Sequence, residues 1–164
     1  MDGLALAAVL CAVIVAYGYF SVRWTMRNPG WYAALPKPAW QPPDVVFGII
    51  WPLNFVALAI ASCVLAYQRA SIAVTFGLIL AVSVVFALTW AYLFYVPHRL
   101  LLAAISLTFA ALLTWGLVVV AFNEQWWVGI LLVPYAVWLS VATSLAYGYA
   151  HLVGPTESLT RPAC

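Results

Sequence analysis

Charge is the scarcest property of this 164-residue chain: six Lys and Arg and four Asp and Glu, 6% of its residues, with a formal net charge of +2. Soluble domains carry roughly a quarter charged residues, so these ten groups are too few to coat a water-soluble globule of this length, which argues against a soluble enzyme or a disordered tail. The basic residues are also too scattered for an anionic polymer, so nucleic acid is not expected as a partner. Cys11, Cys63 and Cys164 are far apart, with no Cys-x-x-Cys or Cys/His cluster. No zinc site, other metal site or disulfide framework is readable from them; packing thiols are expected, with Cys164 free in the tail. Paired carboxylates, a Gly-rich phosphate loop and a hydrolytic triad are missing too, which removes the usual routes to general acid–base and phosphoryl chemistry. His98, in a short loop, and His151, near the end of the last apolar stretch, read as interfacial, hydrogen-bonded histidines.

Apolar residues fill the space left by charge: 68% of the chain, with a mean hydropathy of +1.09. Crossing about 30 Å of hydrocarbon takes roughly 20 mostly apolar residues per helix. Dividing the chain at its polar and Pro-rich breaks gives five spans, at 3–22, 45–67, 72–95, 100–122 and 126–153, and a short C-terminal tail, 154–164. None has a charged residue in its interior, so the acidic and basic groups that ion and proton pumps use are missing. Three of the breaks are only a few residues long, which makes successive helices antiparallel neighbours. The expected fold is therefore all-α: a single membrane domain of five transmembrane helices, with a long Trp/Pro-rich loop between the first two. Stretches such as 78–88 are apolar on every side, unlike the alternating strands of a β-barrel. The first span begins Met1-Asp2, without a basic leader or an obvious cleavage site, and reads as a retained helix. Arg23, Arg27, Lys37, Arg99 and Arg161 fall on one side of the bundle and Arg69 on the other. In a bacterial inner membrane that asymmetry places the N-terminus outside and the C-terminus in the cytoplasm.

Aromatic rings are the second abundance: nine Trp, nine Tyr and eight Phe. Trp24, Tyr67, Trp126 and Trp127 sit at span ends, where interfacial belts form. Others lie inside. Phe47, Trp51 and Phe55 are spaced i, i+4, i+8 on one face of the second span; Ala87, Trp90 and Phe94 share a face of the third; Trp138, Ala142, Leu145 and Tyr149 do so on the fifth, alternating rings with small residues. Such faces suit either a flat apolar pocket or plain helix packing. The first loop carries Trp31, Tyr32 and Trp40 among Pro29, Pro36, Pro38, Pro42 and Pro43. Its prolines limit its conformational freedom without a helical pattern, so it reads either as a semi-rigid cap presenting rings and the Lys37 ammonium to a ligand or as an interfacial anchor. Pro134 predicts a kink in the fifth span where Tyr135 and Trp138 turn inward. Gly77-x-x-x-Ala81 and Ala87-x-x-x-Ala91 allow close helix approach, serving either a homodimer through the third span or packing within one chain.

The run Trp31-Tyr32-x-x-Leu35-x-Lys37-Pro38-x-Trp40-x-Pro42-Pro43-x-x-Val46-Phe47-x-x-x-Trp51, with Trp90 and Phe94 and then Leu132-Val133-Pro134-Tyr135-x-x-Trp138, closely resembles the translocator protein family, whose bacterial members are the tryptophan-rich sensory proteins (TspO/MBR). The resemblance implies five helices, often in a dimer, with the first loop covering a cavity for porphyrins, haem and, in some members, sterols. By motif match Tyr32, Pro42, Phe47, Trp51, Phe55, Trp90, Phe94, Trp138, Ala142 and Leu145 would face that cavity, beneath a cap of Trp31, Lys37 and Trp40. It further implies a receptor or carrier for protoporphyrin IX or haem, held as a ligand with no required cofactor. The alternatives are an enzyme that degrades porphyrin in light through Trp51 and Trp138, and a ligand-free regulatory protein. Two usual family amides are replaced here, by Ala87 and Ala146, so the pocket is expected to be more apolar than typical. Tyr147 and Tyr149 lack the following basic residue of the family's sterol pattern, so sterol binding is not expected.

Overall fold

The computed structural model describes residues 2–157; the tail beyond, with Arg161 and Cys164, lies outside the described residues. Helix α1 spans Gly3–Thr25, α2 Pro29–Ala33, α3 Asp44–Gln68, α4 Ala70–Tyr95, α5 Leu100–Glu124 and α6 Trp126–Glu157. Five of these are long and apolar enough to cross a membrane. No strand occurs among the described residues. Several ends lie beyond the boundaries read from hydropathy, because polar caps and turns extend a helix past its last apolar residue. Asp2 caps α1 by accepting from the Ala5 amide at 2.9 Å.

The loop expected to lack helix contains a short one, α2. Asn28 accepts from the Trp31 amide at 3.2 Å and Pro29 occupies the first helical turn, a start signal strong enough for a single turn of helix. The helix α6 keeps helical dihedrals through Pro134 and departs from them at Gly154, whose φ of 69° lies in the left-handed region that glycine tolerates.

Single residues, Arg69 and Gln125, link α3 to α4 and α5 to α6, at the end of the bundle that also holds Asp2. There the Gln125 side chain donates to Gln68 at 2.7 Å, fastening the two links together. The α5–α6 turn is so tight that a Cβ on Gly129 would come within 2.6 Å of the Phe122 backbone. Lipid tails are as apolar as these side chains, so association rests on close packing, to which small residues contribute most. Ala103, Ala104, Ala110 and Ala121 of α5 are fully buried and bring it against both α4 and α6. The paired small residues of α4 serve the same end within this chain: Gly77 lies beneath the Leu10 side chain, and Ala87 and Ala91 are buried. Ser83 and Thr114, both buried, bond each other at 3.1 Å and tie α4 to α5. On the far side α1 packs on α3 and α4, and α3 reaches α6.

Candidate ligand-binding cavity

The half of the bundle nearest the first loop is hollow. Its cavity measures about 610 Å³, within the roughly 300–1,000 Å³ of small-molecule sites. One wall is the ring face of α3, where the i, i+4, i+8 spacing delivers Phe47, Trp51 and Phe55 to the interior. Trp51 stacks on Phe55 with centroids 5.9 Å apart and planes 29° from parallel. Tyr17 of α1, almost fully buried, stands edge-on to Phe55 at 5.1 Å and to Trp51 at 6.3 Å, which holds that stack in place. A second wall has smaller side chains: Ala142, Leu145 and Ala146 of α6. Trp90 and Phe94 close the α4 side, their centroids 6.1 Å apart.

The first loop forms the roof and is fastened on two sides. Toward α6, the Tyr149 hydroxyl donates to the Gln41 amide oxygen and lies 3.3 Å from the Tyr32 hydroxyl, which accepts from Gln41 Nε2 at 3.5 Å. Beside this trio Pro38 and Trp40 press on Gly148, where a Cβ would come within 2.9 Å of both. Toward the α4–α5 turn, Trp31 stacks on His98 at 3.8 Å and meets Phe94 edge-on at 5.8 Å. His98 takes a positive φ of 57° in that turn, with Nδ1 3.3 Å from the Phe94 carbonyl. At the rim the Lys37 ammonium lies 3.4 Å from the Asp44 carboxylate, both groups well exposed.

The cavity is not sealed. Val22 of α1 and Gly48 and Pro52 of α3 line it while being exposed on the outer surface, so it opens sideways toward lipid between the end of α1 and the start of α3.

Of the ten residues expected to face the cavity, Tyr32, Phe47, Trp51, Phe55, Trp90, Phe94, Ala142 and Leu145 line it; Pro42 and Trp138 do not. Pro42 is spent on the approach to α3. Trp138 is buried edge-on to Phe47 at 5.1 Å, one row behind the wall, with its Nε1 lacking a hydrogen-bond partner. In the cap, Trp31 and Trp40 pack as described while Lys37 faces solvent and Asp44. Ala146 lines the cavity, whereas Ala87 is buried in the helix packing, so only one of the two replaced amides would have altered the wall. The α1 wall escaped the sequence reading, although Gly18, Ser21, Val22 and Thr25 follow i, i+3, i+4, i+7, a face of small or short side chains. The Gln41 link escaped as well, since its partner is 108 residues away.

Five long apolar helices, four of which line a roofed aromatic cavity, define an integral, multi-pass membrane protein of the five-helix class. The pattern of the TspO/MBR family matches residues 6–152, and the chain belongs to that family. It is similar to the tryptophan-rich protein TspO of Bacillus cereus, 28% identical across 81% of this chain and 88% of the relative. Protein CrtK of Rhodobacter capsulatus is 27% identical across 88% of each. The tryptophan-rich sensory protein of Cereibacter sphaeroides is 29% identical, across 85% of this chain and 88% of the relative.

Proposed function

We propose that this protein is a membrane receptor or carrier for a flat tetrapyrrole, protoporphyrin IX or haem, acting in porphyrin transport, sensing or turnover. The observation that carries the reading is a cavity of about 610 Å³ lined both by the Trp51–Phe55 stack of α3 and by the small side chains of Ala142 and Ala146 on α6. A planar macrocycle gains stacking on the rings and meets little bulk at the alanines. The lining supplies serine, threonine and tyrosine hydroxyls and the Asp44 carboxylate but no imidazole, thiol or thioether, and His98 and His151 lie outside it. Stacking on the rings serves haem and metal-free protoporphyrin alike. The side opening admits such a ligand from the bilayer. The charge asymmetry, Arg69 on one side against the loop and turn cations on the other, supports a roof on the cytoplasmic side of a bacterial inner membrane.

Titrating the purified protein with protoporphyrin, haem and a sterol while following Trp fluorescence tests the reading. Saturable quenching by the first two and none by the third is expected; equal or absent responses overturn it. A second reading, light-driven consumption of the bound porphyrin, narrows to Trp51, because Trp138 does not reach the cavity. It predicts bleaching under illumination that falls in Trp51→Phe and persists in Trp138→Phe; equal loss of pigment in the dark removes it.

A further inference from the structure

Two thiols 52 positions apart in sequence meet between α1 and α3: Cys11 Sγ lies 3.8 Å from Cys63 Sγ. We propose that Cys11 and Cys63 are a redox modification site that closes to a disulfide when it meets a hydroperoxide, and that the bond restrains the helix pair flanking the cavity's side opening. The second half of this proposal rests on the tetrapyrrole reading; the first does not.

The geometry carries the chemistry. The sulfurs already touch, and bonding at about 2.05 Å needs them to approach by about 2 Å, within reach of small side-chain and helix adjustments. Both residues are only partly buried, so a reagent dissolved in the membrane reaches them. Helical rise puts Cys63 roughly 8 Å and Cys11 roughly 12 Å from the helix ends at the Asp2 side, inside the apolar spans and within reach of a hydroperoxide dissolved in the bilayer. In the first step one thiol attacks the peroxide: its sulfur takes the terminal hydroxyl, the O–O bond breaks, the thiol proton passes to the departing alkoxide, and the products are a sulfenic acid and an alcohol. In the second, the other thiol displaces that hydroxyl, forming the S–S bond and releasing water. Two thiols and one hydroperoxide thus give one disulfide, one alcohol and one water; sulfur is oxidised and peroxide oxygen reduced.

The site's position gives the bond a consequence. The antiparallel helices α1 and α3 touch at Gly3 against Ala66 and Tyr67, at the cysteine pair, and at Gly18 against Phe55. Beyond Gly18 they separate into the opening. A covalent tie about two helical turns behind the point of divergence holds the two helices together on the closed side and so restricts the spreading that a bulky ligand requires to pass Val22, Gly48 and Pro52.

The test uses the full chain carrying Cys164→Ser, reconstituted in liposomes and treated with tert-butyl hydroperoxide, then with dithiothreitol. Mass spectrometry should show loss of two hydrogens, a peptide cross-link between Cys11 and Cys63, and reversal by the reductant; Cys11→Ser or Cys63→Ser should abolish the link and leave a sulfenic acid that dimedone traps. Intact thiols after treatment, or links only between chains, overturn the modification site. Oxidation should also slow protoporphyrin-induced quenching at least threefold, reversibly, and leave the single-Ser variants unaffected. A disulfide that forms while the quenching rate is unchanged overturns the restraint. A protein that forms the disulfide but never quenches with protoporphyrin leaves the modification site standing and sinks the tetrapyrrole reading instead.

Discussion

Two regions of the bundle are made of similarly apolar helices, yet one is solid and the other hollow. Along the seams of α5 with α4 and α6 alanines at the contacts let backbones approach, and Ser83 and Thr114 bond across the α4–α5 seam. Between α1, α3, α4 and α6, beneath the first loop, rings on α3 and α4 border open space, and a loop anchored at Gly148 and His98 covers it. Hydropathy does not separate these regions. What separates them is side-chain size at the interfaces: small on small excludes space, large beside small leaves it.

Filling the hollow should produce the largest change. Ala142→Trp places an indole in the cavity and is expected to weaken protoporphyrin binding at least a hundredfold, about 2.7 kcal/mol, while the protein still folds; the fluorescence titration reads it. Enlarging the solid region should do the reverse. Ala110→Leu forces the α4–α5 seam apart at a cost of about 1–3 kcal/mol, visible as a lower midpoint in thermal or denaturant unfolding, whereas the same insertion in the cavity costs little stability. Lifting the roof comes next. Gly148→Val drives a side chain into Pro38 and Trp40 and should raise ligand dissociation about tenfold with stability nearly unchanged, as stopped-flow quenching would show. Tyr149→Phe removes the hydroxyl that reaches Gln41 and Tyr32, about 1 kcal/mol of roof attachment, and a few-fold faster exchange is expected. Trp138→Phe should change binding least, since the ring is outside the cavity lining and its indole N–H has no partner. A large binding loss in Trp138→Phe, or none in Ala142→Trp, would erase the distinction between wall and backing row.

Most of the α3 face was legible because ring spacing on one helix is a local property: Phe47, Trp51 and Phe55 point one way whatever surrounds them. The same rule put Ala142 and Leu145 on the face that lines the cavity, while Trp138, one turn along the same stripe, is outside the lining and meets Phe47 edge-on. Local capping chemistry at Asn28 and Pro29 was in the sequence too, hidden among prolines that read as loop. The cysteines show the opposite limit. Their 52-residue separation suggested independence, and only the antiparallel pairing of α1 with α3 puts their sulfurs in contact.

By itself the sequence determined that the chain crosses a membrane five times and which rings share a helix face, since length, hydropathy and the 3.6-residue period are written along the chain. Tertiary structure alone decided which region is hollow, where the roof is fastened, on which side the cavity opens and which thiols meet. Those properties depend on distances between residues of different helices, and such distances are set by how side-chain volumes fit together when the helices pack.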